Sequence, residues 1–471
     1  MKFNRSLALA VMLTLMTYSG VQAASQTAAA GTTQTTEETT IPSAADKAMA
    51  GTNKNVASVK ASSYVEGQPL PVEELRGVET VSGETKTLYD GYAAAQADQN
   101  ALLLRNGANV TVSHSNLSKL GNSTSLKGSR LNGQNAVVDA VNSTASLEGC
   151  VLHAQADGAA AIFAVGPQAN VTVHNSNIRT DGEWCPGLAS SQEGKITANN
   201  VNVGTAGTHS AAVSAAGGKA AVTVTQSTLS TSGTDSPVVY SGGDISVSEV
   251  RGGAGNSNIV VVEGRNVARL EYADFTGGGS EGVLLYRQLH TAPAADSYSR
   301  FSAKHSTLRH VGYGPMFYVT NTRARVYLEM TGLQYEGDVL AKVAGGEWGK
   351  QGENGAAAEF IANQQPLSGS ITVDNLSSAE VKLENESHWN GTINADKKAQ
   401  RTAVSLDAKS TWSLTGDAYV TAFTDADTTL SNIKGNGHNI YYDRNDTANQ
   451  WLGGRSIGLI GGGSILPMAN A

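Results

Sequence analysis

Between residues 109 and 333 the chain repeats a nine-residue pattern in which positions 2 and 4 are apolar and positions 3 and 5 are mostly polar. AVTVTQSTL at 221 is its plainest copy. NVTVSHSNL at 109, TASLEGCVL at 144, NVTVHNSNI at 170, KITANNVNV at 195, DISVSEVRG at 244, VARLEYADF at 267, RFSAKHSTL at 300 and RVYLEMTGL at 325 align with it. Period-two alternation predicts a strand with one buried face, carried by pairs such as Val171 with Val173 and Val222 with Val224. The phase then changes, which predicts a corner. Beyond it position 7 is small (Ser115, Cys150, Ser176, Ser227, Ala273, Ser306) and position 9 is large (Leu117, Ile178, Leu229, Phe275, Leu308), so both are expected to point inward. A second strand family precedes each block: AAIFAVG ends at Gly166, SAAVSAAGG at Gly218, PVVYSGG at Gly243 and NIVVVEG at Gly264. Glycine there accepts the positive φ that a turn between faces often needs.

Successive blocks start 23 to 35 residues apart. That interval is too long for a hairpin and too short for a βαβ unit, and it suits stacked supersecondary repeats. With two or three strands per coil, and coils pairing about 4.8 Å apart, the expected fold is all-β: a right-handed parallel β-helix (solenoid) of roughly 13 coils and about 60 Å. Irregular turns and unequal repeats favour the right-handed form over the strict hexapeptide left-handed one. The two longest intervals predict loops of about ten residues near 118 to 134 and 276 to 299. Beyond 340 the pattern weakens, yet EVKLENESHW at 380 and AVSLDAKSTW at 403 each place a Trp six residues after an inward Leu. The tail is expected to close the end of the stack, which would otherwise be an open pairing edge.

The first residues carry Lys2 and Arg5, an apolar run from Leu7 to Met16, and Val21-Gln22-Ala23, the pattern of a secretory signal cleaved after Ala23. The run is about ten residues, short of the roughly 20 that span a bilayer. No later segment is long and apolar enough, so no transmembrane segment is expected after cleavage, and no Cys follows the signal to carry a lipid anchor. The expected organisation is 1–23 signal peptide, 24–84 low-complexity linker and N-terminal cap, 85–415 parallel β-helix, and 416–471 C-terminal coils and cap. Thr, Ala and Ser dominate the first half of the linker, which has too few large apolar groups to offset chain entropy. The 52 glycines and 16% charged residues fit a β-rich chain with many tight turns. The net charge of −8 and the lack of a long basic run argue against a nucleic-acid partner.

With these repeats, the chain resembles the right-handed β-helical passenger domains of bacterial autotransporter adhesins, in the pertactin-like and pectin-lyase-like superfamily. LDAKSTWSLTGDAYVTAF, 406 to 423, is similar to a repeat found towards the end of such passengers, where Asp-x-x-Ser-x-Trp and Thr-Gly-Asp recur. The resemblance covers about 85 to 450 and implies display at a Gram-negative cell surface for adhesion or host contact. It specifies an architecture more than an activity. Such proteins end in a membrane β-barrel of some 250 to 300 residues; this sequence carries none, so export by another protein, or a periplasmic location, is the expectation.

The same scaffold carries polysaccharide lyases and hydrolases, which present carboxylates from adjacent coils as an acid and base or as a calcium cage. Position 5 reads Ser113, Glu148, His174, Asn199, Thr225, Ser248, Glu271, Lys304 and Glu329 down the stack. Its last three residues predict an outward Glu-Lys-Glu column in which the lysine satisfies both neighbours. No catalytic residue is assigned, and the leading expectation is a non-enzymatic adhesin-like protein, with the polysaccharide-active enzyme and an inert cell-envelope rod as alternatives. The nine histidines sit at unlike repeat positions, His114 and His305 excepted, so they are expected to face solvent, with no metal site. No Gly-x-Ser-x-Gly elbow or phosphate loop occurs, and no cofactor is implied.

Between 286 and 327 Arg287, His290, Arg300, Lys304, His305, Arg309, His310, Arg323 and Arg325 collect with five tyrosines, Tyr286, Tyr298, Tyr313, Tyr318 and Tyr327, in an otherwise acidic chain. Arg300 and Arg325 share a repeat position and should stack, which like charges resist without an anionic partner or good solvation. The expected ligand face comprises Arg300, Arg325, Lys304, Arg309, Arg323, Tyr298, Tyr313 and Tyr327, for an acidic host glycan or a matrix protein. The competing reading is a solvated column partnered by local Glu. An exported chain can join its two cysteines, Cys150 and Cys185, if the 179 to 187 loop folds back over the stack; otherwise they are free thiols.

Overall fold

A computed structural model describes residues 68–288 and 298–468. The expected signal peptide, most of the linker and His290 lie outside the described residues. The rest is a parallel β-solenoid of about 15 turns, with three strands in a typical coil. The first face climbs from Arg76–Ser82 through Ile162–Val165 to Ser370–Val373, and the second from Thr85–Leu88 through Asn170–His174 to Ala422–Asp425. The third runs from Tyr92–Ala94 through Asn177–Thr180 to Gly332–Tyr335, and resumes from Pro366–Ser368 to Ile433–Lys434.

All nine sequence blocks pair in register: Asn109, Thr144, Asn170, Lys195, Ala221, Asp244, Val267, Arg300 and Arg325 are successive partners on the second face. The turn count is slightly above the expected 13, and coils without a recognisable block also stack. In Thr85–Leu88 only Leu88 is buried. Ala357–Asn363 keeps the alternation, but position 7 of its coil is the long Gln365 rather than a small residue.

Position 6 makes the corner between the second and third faces with a single left-handed residue. His114, Asn175, Asn200, Gln226, Glu249, Tyr272, His305 and Met330 all have φ between 45° and 56°, and Gly149 takes 63°. The next residue points inward and serves the coil before it. Ser176 Oγ accepts from Cys150 N at 3.0 Å, Ser227 Oγ from Val201 N at 3.0 Å, and Ser306 Oγ from Ala273 N at 3.0 Å. Small hydroxyls therefore recur at position 7 because an amide left bare at each corner would cost on the order of 1–3 kcal/mol.

Inside, stacked aliphatic side chains form one continuous core that ends in aromatics. Trp389 and Trp412 pair in register and stack at 5.0 Å with 4° between planes, and their indole N–H groups donate to Gly369 O and Gly391 O, each at 3.0 Å. At the end of the described chain, Ser464–Pro467 pairs parallel with Ile440–Tyr442 and antiparallel with Ile457–Gly458, so the chain folds back on its last strand.

The expected loop near 118 to 134 holds a short helix, Leu126–Asn132, capped by Ser125 Oγ accepting from Gly128 N at 3.0 Å and ended by Gly133 at φ 68°. Together with the segment from Leu70 to Leu75 it lies over the outer side of the first face, where Leu75, Leu103 and Phe163 are buried. Within the second expected loop, 276 to 299, Val283–Tyr286 is an ordinary first-face strand and Tyr298 opens the next second-face strand; residues 289–297 lie outside the described residues.

The possible Cys150–Cys185 bridge does not form, and both thiols are free and buried. Cys150 occupies position 7 of its corner, with Sγ near Val112 O and Glu148 O, each at 3.5 Å. Cys185 precedes the first-face strand Leu188–Ser191 at a different corner, with Sγ nearest Ala154 O at 3.9 Å. The 179 to 187 segment takes the ordinary path between faces, so nothing folds back to join them.

Candidate functional site

The Arg and Tyr residues expected to form one ligand face separate onto different surfaces. Arg300, Arg323 and Arg325 do converge, because Tyr298–Lys304 and Arg323–Glu329 pair with Tyr298 opposite Arg323 and Arg300 opposite Arg325. Their guanidinium carbons lie 6.0, 5.5 and 4.9 Å from the Tyr298 ring centre. Only Arg325 has a carboxylate: its Nε donates to Glu359 Oε2 at 2.5 Å, and Lys382 takes the other oxygen of Glu359 at 2.7 Å. Burial raises the pKa of Glu359, but the two cations outweigh it and hold the carboxyl below its ordinary value. Among the described residues Arg300 and Arg323 have no ion-pair partner, and the Arg323 Nε is buried without an acceptor.

The remaining expected residues lie elsewhere. Lys304 pairs with Glu329 at 3.3 Å and sits 5.2 Å from the Tyr327 ring centre. The Tyr327 hydroxyl donates to Glu329 at 2.6 Å and, together with Lys304, holds that carboxyl below its ordinary value. The Glu-Lys-Glu register is as expected, but the lysine makes its ion pair with Glu329 and none with Glu271. Arg309 belongs to the third face, where it donates to Gln334 Oε1 at 2.8 Å and Thr276 Oγ1 at 3.2 Å. Tyr313 stands in a corner, 86% exposed. His310 is not solvent-facing: it points into the core, where burial lowers its pKa against the smaller opposing effect of the Gly277 and Gly314 backbone. His209 is also buried.

Tyr286 and Tyr318 point outward from the first face, into a groove of about 390 Å³ that the sequence does not announce. Its floor is one outward column, Ser214, Tyr240, Val261, Leu284 and Tyr318, in register along five coils. Arg130, from the short helix, lines it, as does Trp348, which packs on Tyr286 at 4.8 Å. One wall is a second column at the corner between third and first faces, where Trp184 stacks on His209 at 4.5 Å and His209 Nε2 approaches Asp235 Oδ2 at 3.5 Å. Tyr240 donates to Glu263, with the Tyr286 hydroxyl 3.3 Å away. Burial, reinforced by Glu263, raises both phenols well above their ordinary pKa.

No protein-family model matches the chain, and no curated protein matches it.

Proposed function

We propose that this protein is an exported, non-enzymatic binding protein of adhesin type, secreted or held at the cell surface, and that it docks an acidic host glycan or matrix protein around Tyr298. The observation that carries the reading is the convergence of three guanidiniums on one ring with a single neutralised member. Arginines left without carboxylates at a flat aromatic surface suit a ligand that brings its own sulfates or carboxylates. Lys304 and Tyr327 contribute less, because Glu329 already engages both.

The paired substitution Arg300→Glu and Arg323→Glu tests this without touching the Arg325–Glu359–Lys382 bridge. Binding to heparin and to sialylated glycans should weaken at least tenfold, and wild-type binding should weaken as salt rises. Unchanged binding by the double variant would sink the proposal. Fractionation of the native cells should find the protein at the surface or in the medium; confinement to the cytoplasm would remove the exported part of the reading.

A further inference from the structure

The groove over the first face shares no lining residue with the Tyr298 cluster. Apolar and aromatic side chains dominate the outward floor of a face that elsewhere is roofed by its own chain: the segment from Leu70 to Leu75 covers it at one end, and Trp348 packs on Tyr286 towards the other. Between these covers the surface from Ser214 to Tyr318 is left concave, and its volume of about 390 Å³ is within the range of small-molecule sites, roughly 300–1,000 Å³. Two buried polar atoms on its lining lack partners, Ser257 Oγ and His209 Nδ1, and His209 Nε2, on a side chain 6% exposed, has only the Asp235 carboxylate at 3.5 Å. Orphaned polar atoms in a buried wall are costly unless something supplies the missing hydrogen bonds.

The lining chemistry narrows the occupant. Tyr240, Trp348 and Tyr318 offer flat apolar surface, while Asp235, Glu281, Asn258 and Ser257 offer acceptors and donors suited to hydroxyl groups. Among the described residues, three carboxylates, Asp235, Glu281 and Glu347, line the groove with Arg130, and Lys342 lies 4.8 Å from the Tyr318 ring centre, so the excess of acidic groups disfavours an anionic ligand and accepts a neutral or amine-bearing one. An extended peptide fits less well. First-face strands are bonded on both sides in parallel ladders, so the floor has no free backbone edge to pair with. Five floor coils about 4.8 Å apart give a linear track of roughly 20 Å, matched to a short chain of sugar rings lying along the stack.

We propose that this groove binds a short, linear oligosaccharide of neutral or amine-bearing pyranoses, stacked on Tyr240 and Trp348 and hydrogen-bonded by Asp235, His209 and Ser257. Calorimetric titration of the full chain would use cellotetraose, tetra-N-acetylchitotetraose, its deacetylated form, tetragalacturonate and tetralysine. At least one of the first three should bind, at least tenfold more weakly to Trp348→Ala and to Asp235→Asn, and unchanged in the Arg300→Glu, Arg323→Glu double variant. Near-ultraviolet circular dichroism would confirm that each variant is folded; should Trp348→Ala lose its fold, Trp348→Phe and Asp235→Asn carry the test. No binding by any of the first three, preference for tetragalacturonate or tetralysine, or unaltered affinity in the folded groove variants would each overturn the proposal.

Discussion

At each position-6 corner one residue holds the whole change of direction, and it does so in the left-handed region. Asn175 and Asn200 suit it, since asparagine is enriched there, and their side chains join across coils, Asn200 Nδ2 donating to Asn175 Oδ1 at 2.6 Å. Met330, at φ 45° and 53% exposed, has the strain without such a bond. Met330→Asn should therefore stabilise the protein by about 1 kcal/mol, seen as a higher urea midpoint at unchanged slope. A lower midpoint would mean that the methionine makes packing contacts worth more than the strain. Asp425 carries a different burden. Burial first, then Asp427 and Asp407, push its pKa up to about 6, and its Oδ2 has no partner. The folded state thus binds this proton more tightly than the unfolded chain, so the stability it contributes is present below pH 4 and is lost as pH rises from about 4 to 6. Asp425→Asn should remove that loss and gain about 2–3 kcal/mol at pH 7, measured by denaturation at pH 4 and pH 7. An equal effect at both pH values would show that the carboxyl does not titrate in this window.

At the scale of the strand and the coil, side-chain alternation explains both what was legible in the sequence and what was not. The second and third faces read clearly because inward and outward residues alternate and then change phase at one corner, so a shift of one residue would turn the buried set outward. The first face reads as near-continuous apolar runs such as IFAV and VVVE. Such runs announce burial on both sides but not which stretch the chain itself covers. The groove therefore depends on where the helix at Leu126–Asn132 and Trp348 fall, which no local pattern states. His209 and Trp184 were equally hidden, since they meet only through coil stacking at a corner outside the nine-residue block. The Arg300 and Arg325 register was legible, but the carboxylate that neutralises Arg325 was not, because Glu359 belongs to a coil without a recognisable block. The Trp389 and Trp412 pairing was legible from spacing alone, and it carries much of the C-terminal core. Trp412→Ala should cost about 3–5 kcal/mol in denaturant unfolding. A loss below about 1 kcal/mol would show that Trp389 and Phe423 close over the cavity.

In the molecule as a whole, each coil contacts chiefly the coils before and after it, so stability is close to a sum of coil and interface terms. The two candidate sites draw on this regularity in different ways. The Tyr298 cluster needs only two adjacent coils in register, whereas the groove needs several, so disturbing one coil between Ser214 and Tyr318 should harm the groove first. The in-register ladders have a mechanical consequence as well. Strands of successive coils pair at intervals of 23 to 35 residues along the second face from Asn109 to Arg325. Tension along the chain from one end should therefore peel off one coil at a time, each release lengthening the tether by about 80–120 Å. Single-molecule stretching would show a staircase of such steps, and a single rupture would mean that the coils yield together. A protein that gives way in small instalments keeps most of its length folded, and its remaining surface available, while under load.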